Sequence, residues 1–445
     1  MLAKKRIGVN IIYKILLTLI SGILLLSDKI ELNILSLTIL IFGSMIIVKF
    51  DLLHPYVWFG GVFYLYSISY PVLYYINSIY ATIGFSKEII IMQWLAYLTV
   101  LFFVTSNRVI SYQFKNNYVN GVVNNYLIIF TASILVASSF YMSLKGYASK
   151  SEIDNNSIIE LGLRTGLVLL LLYGIELARN IDYNLKKILL LIFFVFIPIF
   201  FFFYYSGERD YLYRFFILTF FIFYALKGHM FKKRIMFSLP ILLVSIPIVN
   251  MFKYLGLSGE VKGTDKNFIE MFLMSDFHAA SRNLQTLLNQ SSNWNYFKGY
   301  TIIMDFLKGI EPPFLNFVNF SVGGWFNNAF FDEDRAGQGF TLVGEGYVNF
   351  GYLGIIGVFI FISLLINIFY KRSNNSIYWF IIYIFLIPTF MYAIRGSLAN
   401  ILSPLINYIL MTVVIVIIVN YISKQVLKKK QKVTIYKERN IFYDH

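Results

Sequence analysis

The chain has 445 residues, of which 58% are hydrophobic and only 14% are charged, and its mean hydropathy is +0.67. Soluble domains are about 45–50% apolar and about 25% charged, so this composition excludes an ordinary soluble enzyme and predicts one polytopic membrane domain. The net charge is +15, but the lysines cluster in short loops and at both ends, which indicates loops facing anionic lipid rather than a nucleic-acid-binding surface. The absence of cysteine excludes disulfides and thiolate chemistry.

Apolar runs of about 20 residues, long enough to cross a bilayer, recur along the whole chain. The first predicts an uncleaved span rather than a signal peptide, because no small-residue cleavage site follows it and a second run begins at once. The sixth is the least regular, since Arg164 and Glu176 lie near its ends. The sequence therefore predicts transmembrane helices near 11–27, 31–50, 56–76, 88–106, 126–144, 162–178, 188–205, 211–226, 235–252, 352–370, 377–394 and 401–422.

The lysines and arginines of the short loops predict how these helices are oriented. Cations are concentrated at 4–6, 179–187, 227–234 and 424–432, whereas the intervening short loops hold few. This alternation places both termini in the cytoplasm and the long segment 253–340 outside. The predicted organisation is nine helices in 1–252, a large extracytoplasmic loop in 253–340, a re-entry segment with three helices in 341–422 and a basic cytoplasmic tail in 423–445.

The predicted loop has a helical pattern of its own. Within 267–290, apolar residues recur on one helical face, and Met274, His278 and Arg282 follow at i, i+4 spacing on another. A second short helix is predicted at 300–310, ended by the prolines that follow it. Because long loops with structure of their own are usually functional, we expect this segment to take part in the activity.

The side predicted to face outward contains six arginines. Ionisable groups at membrane depth are costly and usually face a cavity or a partner. Arginine stays charged and its planar fork binds phosphate in a bidentate manner, so a converging set would suit a pyrophosphate carried by a lipid. The alternative for each residue is snorkelling, ion pairing with acids such as those of SGERD at 206–210, or a place in an interfacial cap with tyrosines. The six are Arg164, Arg209, Arg214, Arg282, Arg335 and Arg395.

Two side chains are candidates for accepting a proton. Glu345 follows a glycine-rich run and precedes the tenth predicted helix; its alternative function is a salt bridge with Arg335. His278 lies in the predicted loop and titrates near neutral pH, although a lone histidine on a helix is more often structural. The chain has no HExxH motif and no Cys cluster, and the acidic run at 332–335 is more typical of a solvated turn than of a metal site. We therefore expect no metal and no cofactor.

Three features of the chain occur together in one enzyme family. Many predicted spans surround one large, late loop, and a short SGERD turn at 206–210 carries an arginine. The loop leads into GQGFTLVGEGYVNFGYLG at 337–354, and Arg335 and Gly346 stand at an R-x10-G spacing. In these features the chain resembles the O-antigen (Wzy-type) polymerases, whose glycine-rich signature and loop motif are similar to these stretches.

The resemblance implies an all-α polytopic fold with about 12 transmembrane helices and one large structured extracytoplasmic loop, similar to C-type glycosyltransferases and O-antigen ligases. It implies that undecaprenyl-pyrophosphate-linked oligosaccharide repeat units, as donor and acceptor, are polymerised by an inverting, metal-independent glycosyl transfer on the outer face of the bacterial cytoplasmic (inner) membrane. The expected partners are the lipid bilayer and a polysaccharide chain-length regulator, and no nucleic acid. We expect catalytic functions for Arg335, Glu345, Arg282, Arg209 and His278, and substrate binding by Arg164, Arg214 and Arg395.

Two other functions fit part of the pattern. An O-antigen ligase would share the arginines and the loop, but it also needs a site for the acceptor sugars of the lipid A core. A flippase or secondary transporter for lipid-linked oligosaccharide also has about twelve spans, yet transporters usually show repeat symmetry and short loops. The sequence shows no convincing internal repeat and one very long loop, which favours the polymerase. The glycines of 337–354 are expected either to let the backbone approach a bulky glycolipid or to cap a helix.

Overall fold

A computed structural model describes residues 2–79, 81–108, 121–146, 157–180, 185–227, 248–249, 252, 268–274, 277–311, 317–331, 339–410, 412–414, 417–418 and 421. Every regular element in this part of the chain is a helix. The longer helices of the bundle are α1 (Leu2–Leu25), α2 (Ile30–Ile47), α3 (Pro55–Tyr75), α4 (Glu88–Phe103), α5 (Gly121–Lys145), α6 (Ser157–Asn180), α7 (Leu185–Ser206) and α8 (210–227). They are followed by α9 (Phe268–Leu273), α10 (His278–Asn289), α11 (Tyr300–Ile310), α12 (Val322–Phe330), α13 (Leu342–Arg372), α14 (Ile377–Ala393) and α15 (Ala399–Ser403).

Five of the described helices are long and apolar enough to cross a membrane. Their surfaces are apolar where they are exposed: on α7, for example, Leu190 is 72% exposed and Phe193 is 61% exposed. A surface of this kind is unfavourable in water and typical of contact with lipid. The all-helical fold is therefore that of a polytopic membrane protein, while the number of twelve spans stays a prediction. The five are α2, Asn124–Lys145 of α5, Leu161–Asn180 of α6, α7 and α13.

The first four helices pack together around buried polar contacts. The Ser36 hydroxyl on α2 donates to the carbonyl of Ser21 on α1 at 2.7 Å. The Tyr56 hydroxyl, at the start of α3, lies 2.7 and 2.8 Å from the carbonyl oxygens of Leu101 and Val104, at the end of α4. These contacts satisfy backbone carbonyls that water cannot reach, and they fix the helix ends against each other.

The sixth predicted span is present as α6, and its charged residue Glu176 has partners within the bundle. Glu176 pairs with Arg179, one turn later, and accepts a hydrogen bond at 3.0 Å from the side-chain amide of Asn124 on α5. Of the five candidate spans, α6 is also the most buried, at 72% of its apolar window. The charge of Glu176 is therefore compensated by Arg179 on the same helix and by the amide of Asn124 on the neighbouring helix α5.

Helix α13 is bent between a short arm (342–349) and a long arm (352–372). Phe350 and Gly351 leave the helical conformation at the bend, and Gly351 has a φ of +60°, which glycine adopts with little strain. The two arms then touch: a Cβ added at Gly346 would lie 2.7 Å from the backbone of Ile355. The sequence predicts glycines that admit a glycolipid or cap a helix. At Gly346 the structure shows instead a close approach between two arms of one helix.

The described part of segment 253–340 contains α9 to α12. The apolar pattern of 267–290 corresponds to two helices, α9 and α10, and the predicted helix at 300–310 is α11. A small apolar core, separate from that of the bundle, joins α10 and α12 to the short arm of α13 and to Phe340, which lies two residues before α13. This loop core consists of Leu287, Val322, Phe326, Phe340 and Val348.

The predicted twelfth span, 401–422, is described only in part, since residues 411, 415, 416, 419, 420 and 422 lie outside the described residues. The helix α15 passes at Pro404 into a π-helical stretch, Pro404–Leu410. Proline has no N–H to donate to the preceding turn, which explains why the regular α-helical hydrogen bonding stops there. The predicted ninth span, apart from residues 248, 249 and 252, and the basic tail at 423–445 lie outside the described residues.

Candidate active site

Three parts of the chain meet at Phe340, just before α13. The backbone N–H of Phe340 donates to the carbonyl of Arg395 at 3.1 Å, and its carbonyl accepts from the side-chain amide of Asn283 on α10 at 3.4 Å. One residue thus connects α10 to the turn 394–399 that follows α14. We call this meeting point of α10, residues 339–345 and the turn 394–399 the junction.

Two buried carboxyl groups hold the turn of the junction in place. Glu345, on the short arm of α13, is 0% exposed and accepts from the backbone N–H of Leu398 at 2.8 Å. Asp305, on α11, is 1% exposed and accepts from the N–H of Ala399 at 2.9 Å. These N–H groups stand at the start of α15, where unpaired donors favour a negative charge. The two carboxyl groups also interact with each other, and burial raises the pKa of Asp305.

The position of Glu345 gives it a structural function besides the proton-accepting function predicted from sequence. Its observed partners are Leu398 and Asp305, so it positions the turn that carries Arg395. Its carboxylate has no exposed surface, and therefore no open cleft reaches it in this structure. Arg335, which the sequence offers as its salt-bridge partner, lies outside the described residues.

Helix α10 brings two of the predicted residues towards the junction. Arg282 is partly exposed, and its guanidinium lies 5.5 Å from the centre of the Phe331 ring. Its Nη2 atom is 3.4 Å from Oδ1 of Asn283, the residue that bonds to Phe340. His278 lies one helical turn before Arg282 and is also partly exposed. The structure therefore places Arg282 next to the junction and His278 one turn away from it.

Arg395 contributes a partly exposed side chain to the junction itself. Its backbone carbonyl is held by Phe340, and its guanidinium lies 4.8 Å from the centre of the Tyr392 ring. Among the described residues, neither Arg395 nor Arg282 forms an ion pair with Glu345 or Asp305. The junction thus combines two carboxyl groups held by backbone donors with two arginines that these carboxyl groups do not neutralise.

The other predicted arginines lie around the start of α8. Arg214 is 4% exposed; its Nε is 2.6 Å from Asp210 and its Nη1 donates to the Thr389 hydroxyl on α14 at 2.8 Å. Arg209 lies just before α8, and its carbonyl accepts from the N–H of Tyr213 at 3.0 Å. Arg214 therefore forms its hydrogen bonds within the fold. Helix α14, which carries Thr389, leads directly into the turn of the junction.

Arg164 belongs to the same region rather than to the junction. It lies on α6 beside Leu163, whose carbonyl accepts from the hydroxyl of Tyr211, on α8, at 2.8 Å. The structure thus divides the five predicted arginines that lie in its described part into two groups. Arg282 and Arg395 are at the junction, whereas Arg164, Arg209 and Arg214 surround the start of α8.

Sequence reasoning missed Asp305 and Asn283. Asp305 carries a readable signal, because it is one of two charged residues in the otherwise apolar stretch YTIIMDFLKGI, and an acid there usually has a buried partner. Asn283 carries none, since amides are common on helices and its partner is a backbone carbonyl 57 residues away. Within the described ranges, no group of three or more His, Cys, Asp or Glu is arranged as a metal site.

Comparison with known proteins gives one extensive match. The family described as O-antigen polysaccharide polymerase Wzy matches residues 9–426, nearly the whole chain. The chain belongs to this family. The resemblance noted in the sequence is therefore confirmed, and with it a multi-pass membrane protein of polysaccharide biosynthesis whose chemistry is that of a glycosyltransferase-like polymerase. Wzy polymerases act on lipid-linked oligosaccharides in the inner membrane. No curated protein and no solved structure matches the chain.

Proposed function

We propose that the chain polymerises undecaprenyl-pyrophosphate-linked oligosaccharide repeat units on the extracytoplasmic face of the bacterial inner membrane. The acceptor's sugar hydroxyl attacks the anomeric carbon of the growing glycan, and the bond from that carbon to the pyrophosphate oxygen breaks. The hydroxyl proton goes to a base of the protein, and the electron pair leaves with undecaprenyl pyrophosphate. A single displacement of this kind inverts the anomeric configuration.

The observation that carries this proposal is the junction. One residue, Phe340, ties the helix that carries Arg282 to the turn that carries Arg395, and the buried pair Glu345 and Asp305 fixes that turn. A pyrophosphate that departs with developing negative charge needs fixed cations, and two arginines on braced elements supply them. Because arginines neutralise this charge, the proposed mechanism uses no metal and no cofactor.

Two groups near Arg282 are proposed as the proton acceptor. His278 is partly exposed as it stands, one turn from Arg282 on the same helix. Glu345 is fully buried, so a sugar hydroxyl reaches it only if the junction opens. Arg335, at its R-x10-G spacing, completes the proposed set of catalytic residues with Arg209, and Arg164 is proposed to support substrate binding. Arg214 is proposed to support substrate binding only indirectly, by holding α8 against α14 through its bonds to Asp210 and Thr389.

The rest of the proposal concerns orientation and partners. The positive-inside pattern of the loops supports cytoplasmic termini and a reaction outside the cytoplasm. The segment 253–340 then covers the reacting groups and limits hydrolysis, which is the competing reaction. A polysaccharide chain-length regulator is the proposed protein partner, because membership of this family implies it.

Two linked experiments test the proposed function. Cells deleted for the gene should lose their polysaccharide ladder on a gel and regain it on complementation with the wild-type chain. Purified protein mixed only with lipid-linked repeat units should produce a ladder of its own, because a polymerase needs no second acceptor, whereas a ligase would give no ladder. A purified, folded protein that makes no ladder from these units would overturn the proposal.

A further inference from the structure

A cleft beside α12 has the chemistry of a sugar-binding surface. It has a volume of about 490 Å³, which lies within the range of small-molecule sites. Its described walls present two aromatic rings, two side-chain amides and one hydroxyl group. These belong to Phe320, Trp325, Asn319, Asn328 and Ser321.

The central ring of the cleft is held rigidly. The indole of Trp325 packs at right angles against Phe297, with ring centres 4.9 Å apart, and against Phe330 at 5.6 Å. Although it is supported in this way, Trp325 stays partly exposed. A fixed, partly exposed aromatic ring offers an apolar face at a low cost in conformational entropy, and the C–H face of a pyranose ring is its natural complement.

The polar groups of the cleft are neutral and face solvent. Asn319, Ser321 and Asn328 are exposed, and each side chain can both donate and accept hydrogen bonds. Sugar hydroxyls also donate and accept, so these groups match them. The described lining residues are all uncharged, so these residues suit an uncharged part of the substrate.

The cleft lies close to the junction. The Trp325 ring contacts the Phe340 ring, with centres 6.3 Å apart, and the backbone of Phe340 bonds to Arg395 and Asn283. One aromatic side chain thus separates the cleft from the segment that joins the two arginine-bearing elements. A glycan whose reducing end is at the junction could therefore continue along α12.

We propose that this cleft binds neutral sugar residues of the glycan, away from the reacting ends, and so retains the growing chain between transfers. The inference rests on the proposed function, because it assumes that the chain handles oligosaccharide. Retention raises the effective concentration of the chain end at the site, so losing the cleft should shorten the product.

The first test is the chain-length distribution made by purified protein from lipid-linked repeat units. Trp325→Ala should shift the ladder so that the modal chain length falls about twofold or more, because a chain that escapes must compete with the many shorter lipid-linked units to bind again. Trp379→Ala is the matched control: Trp379 is also partly exposed and packs against an aromatic ring, that of Phe369 on α13, and it should leave the ladder unchanged. An identical ladder from Trp325→Ala and wild type would overturn the proposal.

The second test measures binding and does not depend on turnover. Repeat-unit oligosaccharide released from its lipid by mild acid is titrated into detergent-solubilised protein in a calorimeter. Trp325→Ala and the double variant Asn319→Ala/Asn328→Ala should each raise the Kd about tenfold, which corresponds to about 1.4 kcal/mol. The asparagines are exposed, so their variant should fold even if the tryptophan variant does not. The proposal that the cleft binds neutral sugar residues would be wrong if the asparagine variant and the wild type had equal Kd values. It would also be wrong if inorganic pyrophosphate displaced the sugar. If wild-type protein binds the sugar through these residues yet makes no ladder, the proposed function fails and the cleft stands.

Discussion

The start of α8 and the junction both bury charged side chains, but they compensate the charge in different ways. At α8, Arg214 forms an ion pair with Asp210 and a hydrogen bond with Thr389. At the junction, Glu345 and Asp305 bind the backbone N–H groups that begin α15. In the first region a cation and an anion neutralise each other, whereas in the second the anions are held by the main chain.

This difference concerns which groups compensate the buried charges in each region. An arginine that is paired within the fold has little charge left to offer, and its removal mainly costs stability. Because the junction carboxylates take backbone donors, the nearby Arg282 and Arg395 are not neutralised by them. We therefore propose that Arg214 mainly stabilises the fold and that Arg282 and Arg395 neutralise charge on the substrate.

The largest effect is expected from Arg282→Ala, which removes a cation from the junction. Turnover should fall about 100- to 1,000-fold, the usual cost of losing one group that stabilises transition-state charge, while the protein still reaches the membrane. Initial rates of polymerisation, normalised to protein amount, measure this. Arg372→Ala is the matched control, because Arg372 also lies over an aromatic ring, Trp379, at 5.0 Å. Normal rates from Arg282→Ala would contradict the proposal that the junction arginines neutralise charge on the substrate.

Glu345→Gln should have the next largest effect if this residue is the base. The amide oxygen can still accept from Leu398, so the turn should hold, but proton transfer should slow about 100-fold with donor binding retained. The control is Glu311→Gln, since Glu311 is also buried and accepts from backbone N–H groups. Unchanged turnover would remove Glu345 from the chemistry, leave it as a positioning residue and leave His278 as the proposed base.

Arg214→Ala should instead lower the free energy of unfolding. The substitution leaves Asp210 and Thr389 without their partner, at a cost of about 1–3 kcal/mol because Asp210 is partly exposed. Thermal unfolding in detergent should show the loss, and turnover per folded molecule should stay close to that of wild type. An unfolding temperature equal to that of wild type, combined with abolished turnover, would show that Arg214 takes part in the reaction. That result would contradict the proposal that it mainly stabilises the fold.

The smallest effect is expected from Asp305→Asn, which keeps an acceptor for Ala399 and removes one of two adjacent acids. The free energy of unfolding should change by less than about 1 kcal/mol, whereas Asp305→Ala should cost about 1–3 kcal/mol by leaving that N–H unpaired. Burial raises the pKa of Asp305 in the folded state, so wild type should gain stability relative to Asp305→Asn as pH falls through that pKa. Unfolding curves between neutral and acidic pH test the sign, and a wild type that loses stability relative to the variant would contradict it.

Much of the fold could be predicted because hydrophobic runs report helices directly. Ten of the predicted spans coincide with helices α1 to α8, α13 and α14, and even α6, with its charged ends, follows its predicted limits within a few residues. The bend in α13 could not be predicted, because a glycine within an apolar run does not by itself indicate a bend. The bend at Gly351 becomes evident only from the contact that it creates between Gly346 and Ile355.

The candidate site could be predicted only in part. Glu345 and Arg395 stand out as charges in largely apolar stretches, and Arg282 through its i, i+4 spacing from His278. The structure brings these three segments together. What sequence could not give is the pairing: Asp305 meets Glu345 across 40 residues of chain, and no local pattern encodes that contact. The division of the arginines into two groups has the same origin, because it depends on which helices are neighbours in space.

The loop core has a practical consequence. Two of its five members, Phe340 and Val348, belong to the chain that enters α13, so the loop folds against the membrane part and not around itself. A fragment limited to residues 277–331 would expose Leu287, Val322 and Phe326 to water and should aggregate. Antibodies raised against such a soluble fragment would meet surfaces that the intact protein hides, and binders selected on the whole chain in a bilayer mimic should recognise a different surface.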